Sequence, residues 1–317
     1  MEILFAPMEG VTYPEYRRLH AEMFPGITAY YAPFLAPSGE GNFKPEYLKK
    51  VLPDAERGIP LVPQLLANNP AAFCDTVRKL RELGYGEINL NAGCPSGTVV
   101  AKHKGAGMLS DPDSLDRFLG EVFSACGEIS VKTRLGVNSC EEFDRILPIY
   151  NAYPMPKLII HARDRSGMYR SRPDVDRFCA AAAQSSNPVV YNGDVFSPED
   201  VACLQQKLPE FSGIMVGRGA VANPALPRMI QGGPALETDE LRTFHDRLLD
   251  AYLSGGLSPN YAAERMKNLW AYMGCLFPDS AKRLKGIRKA RTLADYRSAV
   301  SLLFSERFDG SAAYPGE

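Results

Sequence analysis

Cys94 stands between Gly93 and Pro95, directly after the run Ile88-Asn89-Leu90-Asn91-Ala92, and of this chain's thiols it is the one placed for chemistry. A thiol has an unperturbed pKa of about 8.5, so at neutral pH it carries a proton that it can give up. The chain's 7 cysteines otherwise fall at 74, 126, 140, 179, 203 and 275, with no Cys-x-x-Cys pair. That pattern implies neither a disulfide framework nor a zinc site, and no metal is expected. The six others read as reduced, buried, small hydrophobes.

Other polar groups close further apolar runs: Pro7-Met8-Glu9, Gln64, Asn89 and Asn91, Lys132-Thr133-Arg134, His161 and Arg163, Asn192-Gly193-Asp194 and Gly217-Arg218-Gly219. A single Gln or His in such a place is commonly structural. So many together describe a pocket for a large polar ligand. The last two tripeptides suit a phosphate, since glycine admits a close backbone and Arg218 can form a forked pair with phosphate oxygens. A flavin mononucleotide and a phosphorylated sugar fit that reading equally.

Eight β/α units account for the positions of these groups. Aliphatic runs recur roughly every 30 residues, at 3–8, 28–34, 61–65, 87–90, 129–134, 158–161, 189–192 and 213–217. Helix starts are marked by Asn69-Pro70, Ser110-Asp111-Pro112 and Ser197-Pro198. The expected fold is α/β, a (β/α)8 TIM barrel over residues 1–232 followed by a small C-terminal helical domain over 233–317. A doubly wound sheet would carry a glycine-rich turn after its first strand, and Pro7-Met8-Glu9-Gly10 is not one. In such barrels the carboxyl ends of the strands form the active site, which is where the polar groups fall.

The tail shows three helical stretches at 239–253, 262–273 and 282–304, after the break at Gln231-Gly232-Gly233-Pro234. Net charge is −1, yet Lys282, Arg283, Lys285, Arg288, Lys289, Arg291 and Arg297 are opposed between 282 and 297 only by Asp295. Arg163, Arg165, Arg170 and Arg172 form a second basic cluster, expected in one loop. Either cluster alone is as readily a solvated face as a binding surface. With 45% hydrophobic and 23% charged residues, no run long enough to span a membrane and no basic leader, the chain reads as a cytoplasmic globular monomer.

Ile88-Asn89-Leu90-Asn91-Ala92-Gly93-Cys94-Pro95, with Gly105-Ala106 beyond it, resembles the signature of the tRNA-dihydrouridine synthases. Ala6-Pro7-Met8-Glu9-Gly10-Val11, Gln64-Leu65, Val131 to Gly136, His161-Ala162-Arg163, Tyr191 to Asp194 and Val216 to Gly219 resemble the family's other blocks, in the family's order. The resemblance spans the whole barrel and continues faintly through Arg265-Met266-Lys267 to Tyr272.

This resemblance implies an FMN enzyme that uses NADPH to reduce the C5–C6 double bond of uridine in tRNA. Pro7, Met8, Glu9, Gln64, Lys132, His161, Asn192, Gly193, Asp194, Gly217 and Arg218 would hold FMN. Cys94 would be the general acid and Asn91 would orient the uracil, with Arg134 and Arg163 facing substrate or phosphate. A base inside folded RNA must be swung out of its stack, which calls for a basic rim. Lys102, Lys104, Lys282, Arg283, Lys285 and Arg288 are expected to supply it. The chain departs from the family at Ala32-Pro33-Phe34, Ala67 and Gly97, which bears on substrate detail. Two other readings stand: a flavin barrel that reduces a small pyrimidine or enoate, and an idle RNA-binding relative.

Overall fold

The computed structural model describes residues 1–37, 51 and 58–316. Its sheet is entirely parallel and contains nine short segments. Two of them, Leu61–Val62 and Gln64–Leu65, are halves of one strand interrupted at Pro63, whose nitrogen has no hydrogen to give. The first half pairs with the preceding strand and the second with the following one, so the broken strand closes the ring. The fold is therefore an eight-stranded TIM-like barrel. Its strands are β1 (Glu2–Phe5), β2 (Ala29–Tyr31), the broken β3, β4 (Asn89–Ala92), β5 (Ser130–Gly136), β6 (Leu158–Asp164), β7 (Val189–Asn192) and β8 (Gly213–Val216).

The period of two decides what enters the barrel. Leu4, Val62, Ile159, Val190 and Met215 form a small interior cluster, while Ile3, Phe5, Leu65, Leu90, Val131, Ile160 and Val216 face the outer helices in a larger one. Two residues further along the interior rows stand Gln64, His161 and Asn192, and Asn91 and Lys132 are paired across β4 and β5. The barrel interior is largely apolar along these strands, and its upper end is polar.

Helices start where the capping residues put them. Asn69, Asp111 and Ser197 each accept a backbone N–H in the first turn of Pro70–Glu82, Pro112–Cys126 and Pro198–Lys207. Several strand bounds shift from expectation, and two of the shifts bear on the site. The expected 87–90 strand lies two residues later, which puts Asn91 inside it. The expected 158–161 strand continues to Asp164, so Arg163 is an interior strand residue and not part of the arginine loop.

The tail is helical, as the sequence indicates, but 282–304 is not one helix. It divides into Ala281–Lys289 and Leu293–Leu303, because Thr292 and Asp295 form a reciprocal capping box that starts the second. The tail packs on the barrel through Phe244, whose ring meets Tyr16 at 5.5 Å and Phe24 at 5.3 Å. The cysteine expectation also needs correction. Cys74 and Cys126 are buried, but Cys140, Cys179 and Cys275 are half-buried and Cys203 is exposed. Among the described residues no helix is long and apolar enough to cross a membrane.

Candidate active site

A cavity of about 310 Å³ opens at the polar end of the barrel. Its wall includes Pro7, Met8 and Glu9 after β1, Gln64 of β3, Asn91 and Cys94 of the β4 turn, Lys132 and Arg134 of β5, His161 of β6 and Arg218 after β8. With Pro33 and Phe34 after β2, seven of the eight strands thus contribute to one hollow, of a size typical for a small-molecule site.

A polar relay fixes one side of it. Asn91 Nδ2 donates to Gln64 Oε1 at 2.7 Å, Gln64 Nε2 to Asn89 Oδ1 at 2.8 Å, and Asn89 Nδ2 to Ser130 Oγ at 2.9 Å. With its amide oriented this way, Asn91 Oδ1 accepts the N–H of Gly93 at 3.1 Å and of Cys94 at 2.9 Å. The Cys94 turn is held by the side chain that the sequence assigned to substrate, and Gln64 is the acceptor of Asn91 Nδ2 among the described residues. The segment then folds back, with Ala106 N donating to the Cys94 carbonyl at 3.0 Å.

Gly105 makes that return possible. Its φ is +56°, and a Cβ there would lie 2.8 Å from the Cys94 carbonyl oxygen and 2.9 Å from the Cys94 Cβ. Gly105→Ala should therefore cost about 1–3 kcal/mol of stability through backbone strain and displace the thiol. Denaturant unfolding measured beside turnover checks this, and a variant wild-type in both contradicts it.

Cations line the other side. Lys132 Nζ donates to Asn192 Oδ1 at 2.7 Å, and Asn192 Nδ2 donates to the Met215 carbonyl at 2.8 Å. Burial, with the Arg134 charge second, lowers the Lys132 pKa to about 7. His161 is held well below its ordinary value by burial first and then by Arg134, Lys132, Arg163 and Arg218, so its ring is neutral. Arg218 Nη2 donates to Asp194 Oδ1 at 2.7 Å, and its guanidinium lies 4.7 Å from the Tyr169 ring centre. Arg218 Nη1 is buried with no hydrogen-bond partner among the described residues. A buried guanidinium nitrogen in that state is a strong donor held for an absent acceptor.

Not every expected residue reaches the hollow. Arg163, expected against substrate or phosphate, is only 2% exposed. It donates to the Ser171 carbonyl at 2.7 Å and Asp194 Oδ2 at 2.6 Å, so it braces the loop after β6. Arg134 lines the cavity, but its Nε and Nη1 bond the carbonyls of Gly93 and Asp164 at 2.9 and 2.8 Å. It ties the cysteine turn to β6. Asn192, Gly193, Asp194 and Gly217 stand behind the wall, with Asp194 joining Arg163 to Arg218. Lys102 is exposed and Lys104 half-buried, both beyond the cavity on the cysteine loop. On the helix Ala281–Lys289, Lys282, Lys285 and Arg288 are exposed, whereas Arg283 is paired with Glu306 at 2.6 Å. Sequence reasoning missed Tyr169, Pro33, Phe34 and Tyr272 as wall residues. Tyr169 had a signal, an aromatic among Arg165, Arg170 and Arg172. Tyr272 had no local one, because it arrives from the tail.

The profile of the dihydrouridine synthase (Dus) family matches residues 4–274 of this chain. The chain belongs to the dihydrouridine synthase family. A probable tRNA-dihydrouridine synthase of Rhodobacter capsulatus is 29% identical over 322 residues, covering 96% of this chain and 95% of that one. The tRNA-dihydrouridine synthase B of Escherichia coli is 30% identical over 247 residues, 75% of this chain and 73% of that one. The tRNA-dihydrouridine(16) synthase of Haemophilus ducreyi is 28% identical over 249 residues, 72% of this chain and 73% of that one. Among solved structures, an old yellow enzyme homologue from Zymomonas mobilis superposes with a TM-score of 0.51 at 12% identity, covering 75% of this chain and 90% of that one. A 2-naphthoyl-CoA reductase reaches 0.54 at 11% identity, covering 74% of this chain and 50% of that one. At such identities these two show the barrel fold alone. The family profile runs past the barrel into the helix Pro259–Met273, which brings Tyr272 to the cavity.

Proposed function

We propose that this dihydrouridine synthase binds FMN in the barrel mouth, takes reducing equivalents from NADPH, and reduces a uridine of tRNA at C5–C6. The observation that carries the proposal is the convergence of Cys94, Lys132, His161 and Arg218 on one cavity in a chain of this family. The donor set fits the cofactor. Among the described residues Arg218 Nη1 lacks an acceptor that a phosphate would provide, and Lys132 suits the carbonyl edge of a flavin ring. Relatives named as tRNA enzymes support the choice of RNA.

When bound, the reduced flavin supplies hydride to uracil C6. The protein's own residues do the rest. Lys132 presents positive charge where negative charge accumulates on oxygen. Cys94 holds the proton required at C5. Asn91 keeps the Cys94 turn in place. A uridine in folded RNA must be unstacked to enter so enclosed a site. We assign catalysis to residues 1–232, and to 233–317 the grip on the RNA body, with Lys282, Lys285 and Arg288, together with Lys102 and Lys104, meeting phosphates.

Nucleoside mass spectrometry of tRNA incubated with the purified protein and NADPH tests this. A gain of two mass units on uridine is expected. Flavin-bound protein that oxidises NADPH yet leaves every uridine unchanged would overturn the RNA assignment and favour a small-molecule reductase.

A further inference from the structure

Residues 308–316 fold back over the barrel rim and reach the wall that holds Arg218. The Gly310 carbonyl accepts from Asn223 Nδ2 at 2.8 Å, which anchors this segment. Beyond the anchor, the Tyr314 ring meets Phe196 edge-on at 5.4 Å and Tyr272 at 5.7 Å. Phe196 lies 5.6 Å from the Arg218 guanidinium. Asp194 takes Nη2 of that guanidinium, and Nη1 is buried without a partner among the described residues. A residue remote in sequence from the barrel's eighth strand thus supports one of the two rings beside its arginine, the other being Tyr169 at 4.7 Å.

We propose that Tyr314 is a positioning residue for cofactor binding, clamping Phe196 against Arg218 so that the guanidinium is set to receive the flavin phosphate. The proposal rests on the flavin reading above. An arginine side chain has a long, freely rotating stem, and ordering it at the moment of binding lowers affinity. A stem ordered beforehand by packed rings avoids that cost. Because the guanidinium would meet only the phosphate, the clamp should affect FMN and spare riboflavin.

The full-length chain, freed of flavin, is titrated with FMN and with riboflavin while flavin fluorescence is followed. The wild type should prefer FMN. Tyr314→Ala should weaken FMN by about tenfold, leave riboflavin almost unchanged, and be rescued by Tyr314→Phe. Arg218→Ala should show the same phosphate-specific loss. If Tyr314→Ala binds FMN like the wild type, or loses both flavins equally, the clamp is overturned while the flavin reading stands. A wild type indifferent to the phosphate overturns the Arg218 assignment and the clamp with it. Should Tyr314→Ala not fold, Tyr314→Leu is held to the same outcomes.

Discussion

Cys94→Ala should retain its fold and its flavin, still oxidise NADPH, and lose about 10²–10⁴-fold in turnover on RNA, the range general acids contribute. Cys94 contributes little to the scaffold. Its turn is held through backbone groups, by Asn91 Oδ1 on its N–H and by Ala106 N on its carbonyl. An alanine keeps both bonds and removes only the sulfur, at a half-buried position on the cavity wall. Visible absorbance reports the flavin, stopped-flow bleaching by NADPH reports its reduction, and mass spectrometry of the RNA reports product. Turnover within about threefold of wild type would remove Cys94 from the chemistry. Colourless protein would mean that the residue serves the cofactor.

Lys132→Met should lower turnover by about 10²–10³-fold, comparable to the loss of one oxyanion-hole donor, and should abolish a pH dependence of flavin binding. In the flavin-free protein burial brings the Lys132 pKa to about 7. The side chain is then charged below that pH and neutral above it. If the ammonium is what meets the flavin ring, binding takes up a proton above pH 7. Riboflavin affinity should fall by up to tenfold per unit as pH rises from 7 toward 9. Riboflavin is the proper probe because it lacks a titrating phosphate. His161 stays neutral across this window, since its pKa is held well below its ordinary value. The same linkage acts on stability. The unfolded chain binds the Lys132 proton up to its ordinary value near 10.5, and the native chain releases it near 7. Through this group the native state gains stability as pH rises between those values, and has no such gain below 7. A pH-independent riboflavin affinity in the wild type contradicts the assignment of Lys132.

Much of the barrel could be read because its determinants are local. Asn69-Pro70, Asp111-Pro112 and Ser197-Pro198 set helix starts by side chain-to-backbone bonds within one turn. Polar residues at strand ends could be read for the same reason, since alternation puts every second one into the barrel. What escaped depends on contacts between distant segments. That Arg163 turns inward is decided by Asp194 and Ser171, two loops that sequence spacing does not bring together. Tyr272 enters the site, and Tyr314 packs against it, because the tail folds back onto the barrel mouth. The division of 282–304 is the exception. Thr292 and Asp295 form a local capping pair, but the run of basic residues masked the boundary.

The face from which each hydrogen reaches the base decides whether Cys94 is the acid. If the Cys94 thiol and the flavin ring approach a base bound between them, reduction in D₂O with NADPH deuterated at its transferred position must add deuterium at C5 and C6 from opposite faces. The proton–proton coupling across that bond, measured by NMR on the released dihydrouracil, distinguishes the two diastereomers. The anti product is expected. A syn product would place acid and hydride donor on one side of the base, and a thiol across the cavity could not be the source of the proton.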